Sequence, residues 1–184
     1  MEKKTIGILV GSLRKESYNK KIAHSLANLF PENFTTEFID IDNLEWYNQD
    51  LDDENRPTEN WTAFRNKLKN IDAFIFVTPE YNRSVPAALK NALDVGSRPY
   101  GSSVWDGKPA FVVSSSTGAI SGFGANHHLR QSLVFLNMPT MQQPEAYIAY
   151  SNKLYDENGV LVNQGTQDFF QLLVNSFVDW MGKF

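Results

Sequence analysis

The amino-acid sequence predicts an α/β fold: a doubly wound, five-stranded parallel sheet of order 2-1-3-4-5 with helices on both faces. Short β-branched or aromatic runs alternate with segments of helical period along the whole chain, the pattern of strands joined by helical crossovers. Polar loops follow the first, third and fourth runs. They would share the carboxyl edge of the sheet, where open α/β folds bind ligands at the reversal of strand order. No repeat or low-complexity linker divides the 184 residues, of which 42% are hydrophobic. A chain of this size buries about 70% of its unfolded surface around one core, so residues 1–184 are read as a single domain.

The first strand is expected from Thr5 to Val10, followed by a helix with Ile22, Leu26, Leu29 and Phe30 at helical spacing. Thr36 to Ile41 reads as the second strand. The stretch Asp50-Leu51-Asp52-Asp53-Glu54 begins like a calcium loop, but Asn55 stands where that loop needs glycine and Trp61 where it needs a bidentate glutamate. A solvated loop is expected instead. A helix from Trp61 to Lys69 turns Phe64 and Leu68 inward, and Ala73 to Thr78 is the third strand. Pro86 suits the first turn of the next helix and Gly96 a left-handed stop. Ala110 to Ser114 is the fourth strand, Asn126 to Leu136 a helix, and Ala146 to Ile148 the last strand. A helix from Thr166 to the C-terminus carries Phe169, Leu173, Phe177 and Met181 on one stripe. The segments Pro86 to Gly96 and Asn126 to Met138 hold more apolar residues than packing on one sheet requires, which points to a homodimer or homotetramer.

Composition excludes several classes of function. With 17 basic and 21 acidic residues the net charge is −4, which favours neither nucleic acid nor an anionic membrane. Cysteine is absent, so disulfides, thiolate metal sites and cysteine nucleophiles are all ruled out, and any redox chemistry must come from a bound cofactor. Met1-Glu2-Lys3-Lys4 leads into an apolar run too short for a signal peptide, and no run approaches the ~20 apolar residues of a membrane span. The cytoplasm is the expected compartment, and the sequons at Asn33, Asn60 and Asn82 are read as chance. His127 and His128 are adjacent on a helix and point about 100° apart, so they do not chelate one ion together; a subunit contact or a solvated face is expected for them.

The stretch "GSLRKESYN", Gly11 to Asn19, follows the first strand and opens a helix, a place where unpaired N–H groups and the helix dipole attract phosphate. Ser12, Arg14, Ser17 and Asn19 add suitable donors. The stretch fits neither the P-loop nor the G-x-G-x-x-G fingerprint, and the same residues also fit a polar turn in which Ser17 is an ordinary helix cap. After the third strand comes "TPEYNRSVPAALKNALD", in which Tyr81 offers an aromatic plane, and after the fourth "SSSTGAISGFGANHH", whose small residues allow close backbone approach. Gly122-Phe123-Gly124 only partly imitates a dinucleotide fingerprint. Together the three loops suit a flat heteroaromatic ring bearing one phosphate.

"GSLRKESYNKKIA", "TPEYNRSVPAALKNALD" and "SSSTGAISG", in this order after successive strands, resemble the NADPH-dependent FMN reductase family, which has a flavodoxin-like fold and includes soluble quinone, chromate and azo-dye reductases. The resemblance implies that Ser12, Arg14, Ser17 and Asn19 hold the FMN phosphate. It implies that Pro79, Glu80, Tyr81 and Asn82 lie along the isoalloxazine ring with Ser84 nearby, and that Ser115, Ser116, Thr117 and Gly118 close over the ring and ribityl chain. The sequence departs from the family pattern at Arg83, at Ala87 and Ala88 after Pro86, and at Val95 after Asp94. The activity implied is hydride transfer from NADPH or NADH through FMN to a small-molecule acceptor: a quinone, azo compound, flavin or metal oxyanion. No catalytic side chain is assigned, since the flavin carries the chemistry; backbone N–H groups of Glu80 to Asn82 are expected to stabilise charge on the ring. An FMN-binding electron carrier or redox-responsive regulator with little turnover is the alternative reading, and from the first loop alone so is a phosphate-binding module without flavin.

Overall fold

The computed structural model describes residues 3–184. Five parallel strands form one sheet in the order β2-β1-β3-β4-β5: β1 is Lys4–Val10, β2 Phe34–Ile39, β3 Ala73–Thr78, β4 Ala110–Ser115 and β5 Ala146–Ile148. The helices are α1 (Tyr18–Ala27), α2 (Gln49–Asp53), α3 (Glu59–Lys69), α4 (Ala87–Gly96), α5 (Phe123–Phe135) and α6 (Gln164–Met181). The sheet order and all five strands agree with the sequence-based expectation, except that β2 both begins and ends two residues earlier, leaving Ile41 outside it.

Alternation along each central strand divides two cores. Phe74 and Phe76 of β3 and Val112 of β4 face a cluster with Trp61, Phe64 and Leu68 of α3, Leu89 and Leu93 of α4, and Leu129 and Leu133 of α5. Ile75, Val77, Phe111 and Val113 face the other side, with Ile22 and Leu26 of α1 and Phe170, Leu173 and Phe177 of α6. On α6 the inward position is Phe170, fully buried, while Phe169 packs at the margin of the core.

Two local expectations are corrected. Gly96 does not adopt a left-handed cap; it is the last residue of α4, and a Cβ there would stand 2.6 Å from the Trp105 indole. The glycine is needed for close approach, and Trp105 Nε1 donates to the Leu93 carbonyl at 3.0 Å. The acidic stretch at Asp50 to Glu54 is not a solvated loop either. It contributes to α2, and Asp52 accepts two bonds from Arg65, at 2.8 and 2.7 Å, in a pair whose side chains are only 5% and 8% exposed. Arg65 Nε also donates to the Val95 carbonyl at 2.9 Å. A buried guanidinium requires such partners, and no local pattern announces which of five acidic or apolar neighbours supplies them.

Removing Asp52 leaves that guanidinium buried without its counter-charge. Asp52→Ala is expected to destabilise the protein by about 3 to 5 kcal/mol in urea unfolding, whereas Asp53→Ala, on the exposed face of α2, should change stability by less than about 0.5 kcal/mol.

Candidate functional site

The crossovers of a parallel sheet bring the loops after β1, β3 and β4 to one edge, where they enclose a cleft of about 190 Å³. Ser12, Arg14, Ser17, Tyr18 and Asn19 line it from the first loop and α1, Pro79, Glu80 and Tyr81 from the second loop, and Ser115, Ser116 and Thr117 from the third. Ser151, on a 3-10 turn after β5, completes the wall. Asn82, Ser84 and Gly118 lie in the same loops but outside this lining.

At the start of the first loop, Gly11 N donates to the Val77 carbonyl at 2.9 Å, and a Cβ at Gly11 would lie 3.2 to 3.3 Å from Leu89, Pro79 and Thr78. The first and second loops therefore meet there. From Ser12 to Glu16 the backbone N–H groups find no acceptor among the described residues. Ser17 is the N-cap of α1, its hydroxyl accepting from Lys20 N at 3.3 Å, so the ordinary capping role is real for this residue. No acidic residue in the first turn of α1 offsets the helix dipole. Arg14 is exposed and has no ion-pair partner among the described residues. This donor set fits a phosphate: unpaired N–H groups, a free guanidinium and the positive end of a helix.

A buried bond fastens the first loop to the third. Ser115 Oγ donates to Asn19 Oδ1 at 3.0 Å, leaving the Asn19 amide NH₂ without an acceptor among the described residues. Ser114 is fixed similarly: its hydroxyl accepts from Asn126 Nδ2 at 3.2 Å, and Arg130 Nε donates to Asn126 Oδ1 at 2.8 Å. Beyond β4, Ser116 Oγ donates to the Gly118 carbonyl at 3.0 Å, and Ser151 N donates to the Ser116 carbonyl at 3.0 Å. That last bond brings Ser151 into the wall. Sequence reasoning missed it because nothing local marks a serine after a three-residue strand; Tyr18 was also missed, although it stands between two of the predicted residues.

In the second loop, Tyr81 N donates to the Ser84 carbonyl at 3.1 Å and Ser84 N to the Tyr81 carbonyl at 3.0 Å. The two residues between them are left-handed, Asn82 at φ 51° and Arg83 at φ 66°, as a type I′ turn requires. This corrects one expectation: the Tyr81 N–H closes the turn and is not free to face a ligand, while those of Glu80 and Asn82 remain without an acceptor among the described residues. Glu80 is not a solvated charge. Its Oε2 accepts from Ala125 N of α5 at 3.1 Å, and its Oε1 lies 3.4 Å from Arg83.

The two adjacent histidines take separate partners. His128 Nδ1 lies 3.0 Å from Ser84 Oγ, whereas His127 Nε2 lies 3.0 Å from the Tyr147 hydroxyl, which donates to Glu145 at 2.8 Å. The His127 ring also packs on Phe123 at 4.2 Å. Phe123 and Ile120 are about half exposed beside the third loop, giving that rim an aromatic and apolar character.

The sequence pattern of the NADPH-dependent FMN reductases matches residues 4–153. Among curated relatives, a quinone reductase of Pseudomonas putida is 53% identical over 96% of this chain and 94% of its own length. A 2-hydroxy-1,4-benzoquinone reductase of a Burkholderia species is 43% identical over 96% and 95%. Among solved structures, the flavoenzyme NAD(P)H:(acceptor) oxidoreductase FerB of Paracoccus denitrificans superposes with a TM-score of 0.91 at 37% identity, covering 98% of both chains.

Burial, then the bond to Glu145 and its charge, push the Tyr147 phenol up to about 12. The unfolded phenol ionises near pH 10. Between these values the folded protein holds the proton more tightly, so the stabilisation is fully present below about pH 10 and is lost as pH rises towards 12. Tyr147→Phe should flatten this part of the alkaline stability profile, and of the tyrosines that a near-ultraviolet titration of the folded wild type shows ionising late, Tyr147→Phe should remove one while the other raised phenols, Tyr47 and Tyr155, remain.

Proposed function

The chain belongs to the NADPH-dependent FMN reductase family, and we propose that it passes reducing equivalents from NAD(P)H through FMN held in the cleft to a quinone. It is an oxidoreductase whose cofactors are FMN and a nicotinamide dinucleotide. The observation that carries the assignment of the cleft is the row of backbone N–H groups from Ser12 to Glu16 without acceptors, beside Arg14 and the start of α1. A terminal phosphate satisfies such a row, and its enclosure favours FMN over FAD. When bound, the flavin supplies hydride acceptance and donation.

The chain's own residues orient and stabilise. Ser12, Arg14, Ser17 and Asn19 hold the phosphate end; Pro79, Glu80, Tyr81 and Asn82, with Ser84 behind them, bound the ring; and Ser115, Ser116, Thr117 and Gly118 close over the chain between. Tyr18 and Ser151 join this set by their place in the wall. The N–H groups of Glu80 and Asn82 are the donors available for charge developing on the ring edge. A quinone is the acceptor because relatives at 53% and 43% identity are quinone reductases and because the rim at Ile120 and Phe123 suits a small apolar ring.

We place the protein in the cytoplasm, where NAD(P)H is supplied; no helix among the described residues is long and apolar enough to cross a membrane. The whole chain acts as one unit, supported by the packing of Phe177 of α6 on Phe111 of β4 with ring centroids 5.6 Å apart. A homodimer or homotetramer is supported by the end of α5 and the loop beside it, where Phe135 is 90%, Val134 75% and Tyr100 92% exposed. Phe135→Glu is expected to lower the mass measured by light scattering; a single-chain mass for the wild type at every concentration would refute assembly.

The binding site is tested by flavin affinity. Arg14→Ala should weaken FMN binding by about tenfold to a hundredfold while leaving riboflavin, which lacks the phosphate, nearly unaffected. Tyr81→Ala should instead alter both affinities together. An unchanged FMN-to-riboflavin ratio in Arg14→Ala, read by fluorescence quenching, would show that Arg14 does not contact the phosphate.

A further inference from the structure

We infer that Glu80 is a positioning residue whose carboxylate caps α5 and thereby locks the turn after β3 in the shape that meets the flavin ring. The inference rests on the cleft being the FMN site. α5 begins without a cap of its own: its N-cap residue is Gly122, at φ 75°, with no side chain to accept a bond, and no acidic residue stands in its first turn. The start of this 13-residue helix would otherwise present orphan N–H groups and an uncompensated dipole. Glu80 supplies the missing acceptor from 45 residues upstream, through Oε2 at 3.1 Å from Ala125 N. Its side chain is only 11% exposed, so the contact is little diluted by water.

The same helix grips the turn at two further points. A Cβ at Gly124 would stand 2.8 Å from the Arg83 carbonyl oxygen and 2.9 Å from Glu80 Oε2, so helix and turn touch backbone to backbone. Ser84 Oγ meets His128 Nδ1 at 3.0 Å. Asn82 and Arg83 are both left-handed, and a non-glycine pair in that region persists only where its surroundings over-determine it. Glu80 is the charged member of those surroundings, and through Oε1 it also holds the Arg83 guanidinium at 3.4 Å. Because α5 continues directly from the third loop, the carboxylate ties the second loop to the third and sets the direction of the Glu80 and Asn82 N–H groups. With one oxygen on Ala125 N and the other towards Arg83, it acts on the flavin through the turn it holds.

The test compares wild type, Glu80→Ala and Glu80→Gln for FMN and riboflavin affinity, and for amide hydrogen exchange without flavin. In Glu80→Ala, exchange at Tyr81, Ser84 and Ala125 should accelerate by about tenfold or more, and FMN and riboflavin affinity should fall in parallel by about tenfold. Glu80→Gln keeps an acceptor oxygen for Ala125 N and should recover most of both. If Glu80→Ala does not fold, Gly124→Ala, which forces the helix off the Arg83 carbonyl, should produce the same parallel loss. Unchanged exchange at Tyr81 and Ser84 in folded Glu80→Ala overturns the lock, and so does a loss confined to FMN, which would put Glu80 at the phosphate end. A wild type that binds no flavin overturns the reading of the cleft instead, and the exchange measurement still decides whether Glu80 holds the turn.

Discussion

A parallel strand cannot return to its neighbour by a tight turn, and this constraint underlies the rest of the molecule. Every connection is a crossover carrying a helix, so all loops that leave the carboxyl ends of the strands gather at one edge. Because β2 lies on the far side of β1 from β3, the chain reverses its direction of travel between β1 and β3. The loops after these two strands part there and leave a crevice. Gly11 marks the last point at which the two loops touch, with Leu89, Pro79 and Thr78 packed around the position its side chain would take.

The same constraint demands two apolar faces. β3 and β4 are buried along their entire lengths, which is why their sequences read as near-continuous apolar runs. The helices then have to fit a crowded surface. Gly96 permits α4 to lie against Trp105, and Arg65 reaches from α3 to both Asp52 of α2 and the Val95 carbonyl of α4. These contacts are remote from the cleft, but they fix the helix that begins just after the second loop.

At the cleft, stability and function use opposite rules of polar satisfaction. Ser17, Asn19, Ser115 and Glu80 each have a defined partner within the chain, which makes the walls rigid. The N–H groups from Ser12 to Glu16 have none among the described residues, and Arg14 has no counter-ion there. Satisfied groups hold the shape, and the unsatisfied ones are the donors to which the proposed phosphate site is assigned. The left-handed Asn82 and Arg83 belong to the first category: their conformation is stored locally and maintained by α5.

By itself the sequence determined the fold class, the strand order, the three loops at one edge and most of the cleft's residues. It could do so because strand period, helix period and the composition of βα loops are local properties, and because three motifs stand in the order a known family uses. Ser12, Arg14, Pro79, Tyr81 and Ser115 are in the cleft wall where that reading puts them. Only the tertiary structure decided the partners of polar groups. Glu80 and Ala125 are separated by 45 residues, Ser115 and Asn19 by 96, and Asp52 and Arg65 belong to different helices. Whether a carboxylate is solvated, caps a helix or neutralises a buried guanidinium depends on what the fold brings within about 3 Å of it. No window along the chain contains that information, and for this reason an acidic stretch that reads as a solvated loop contributes to a buried ion pair, and a glutamate that the resemblance puts along a flavin ring accepts a bond from Ala125 N of α5.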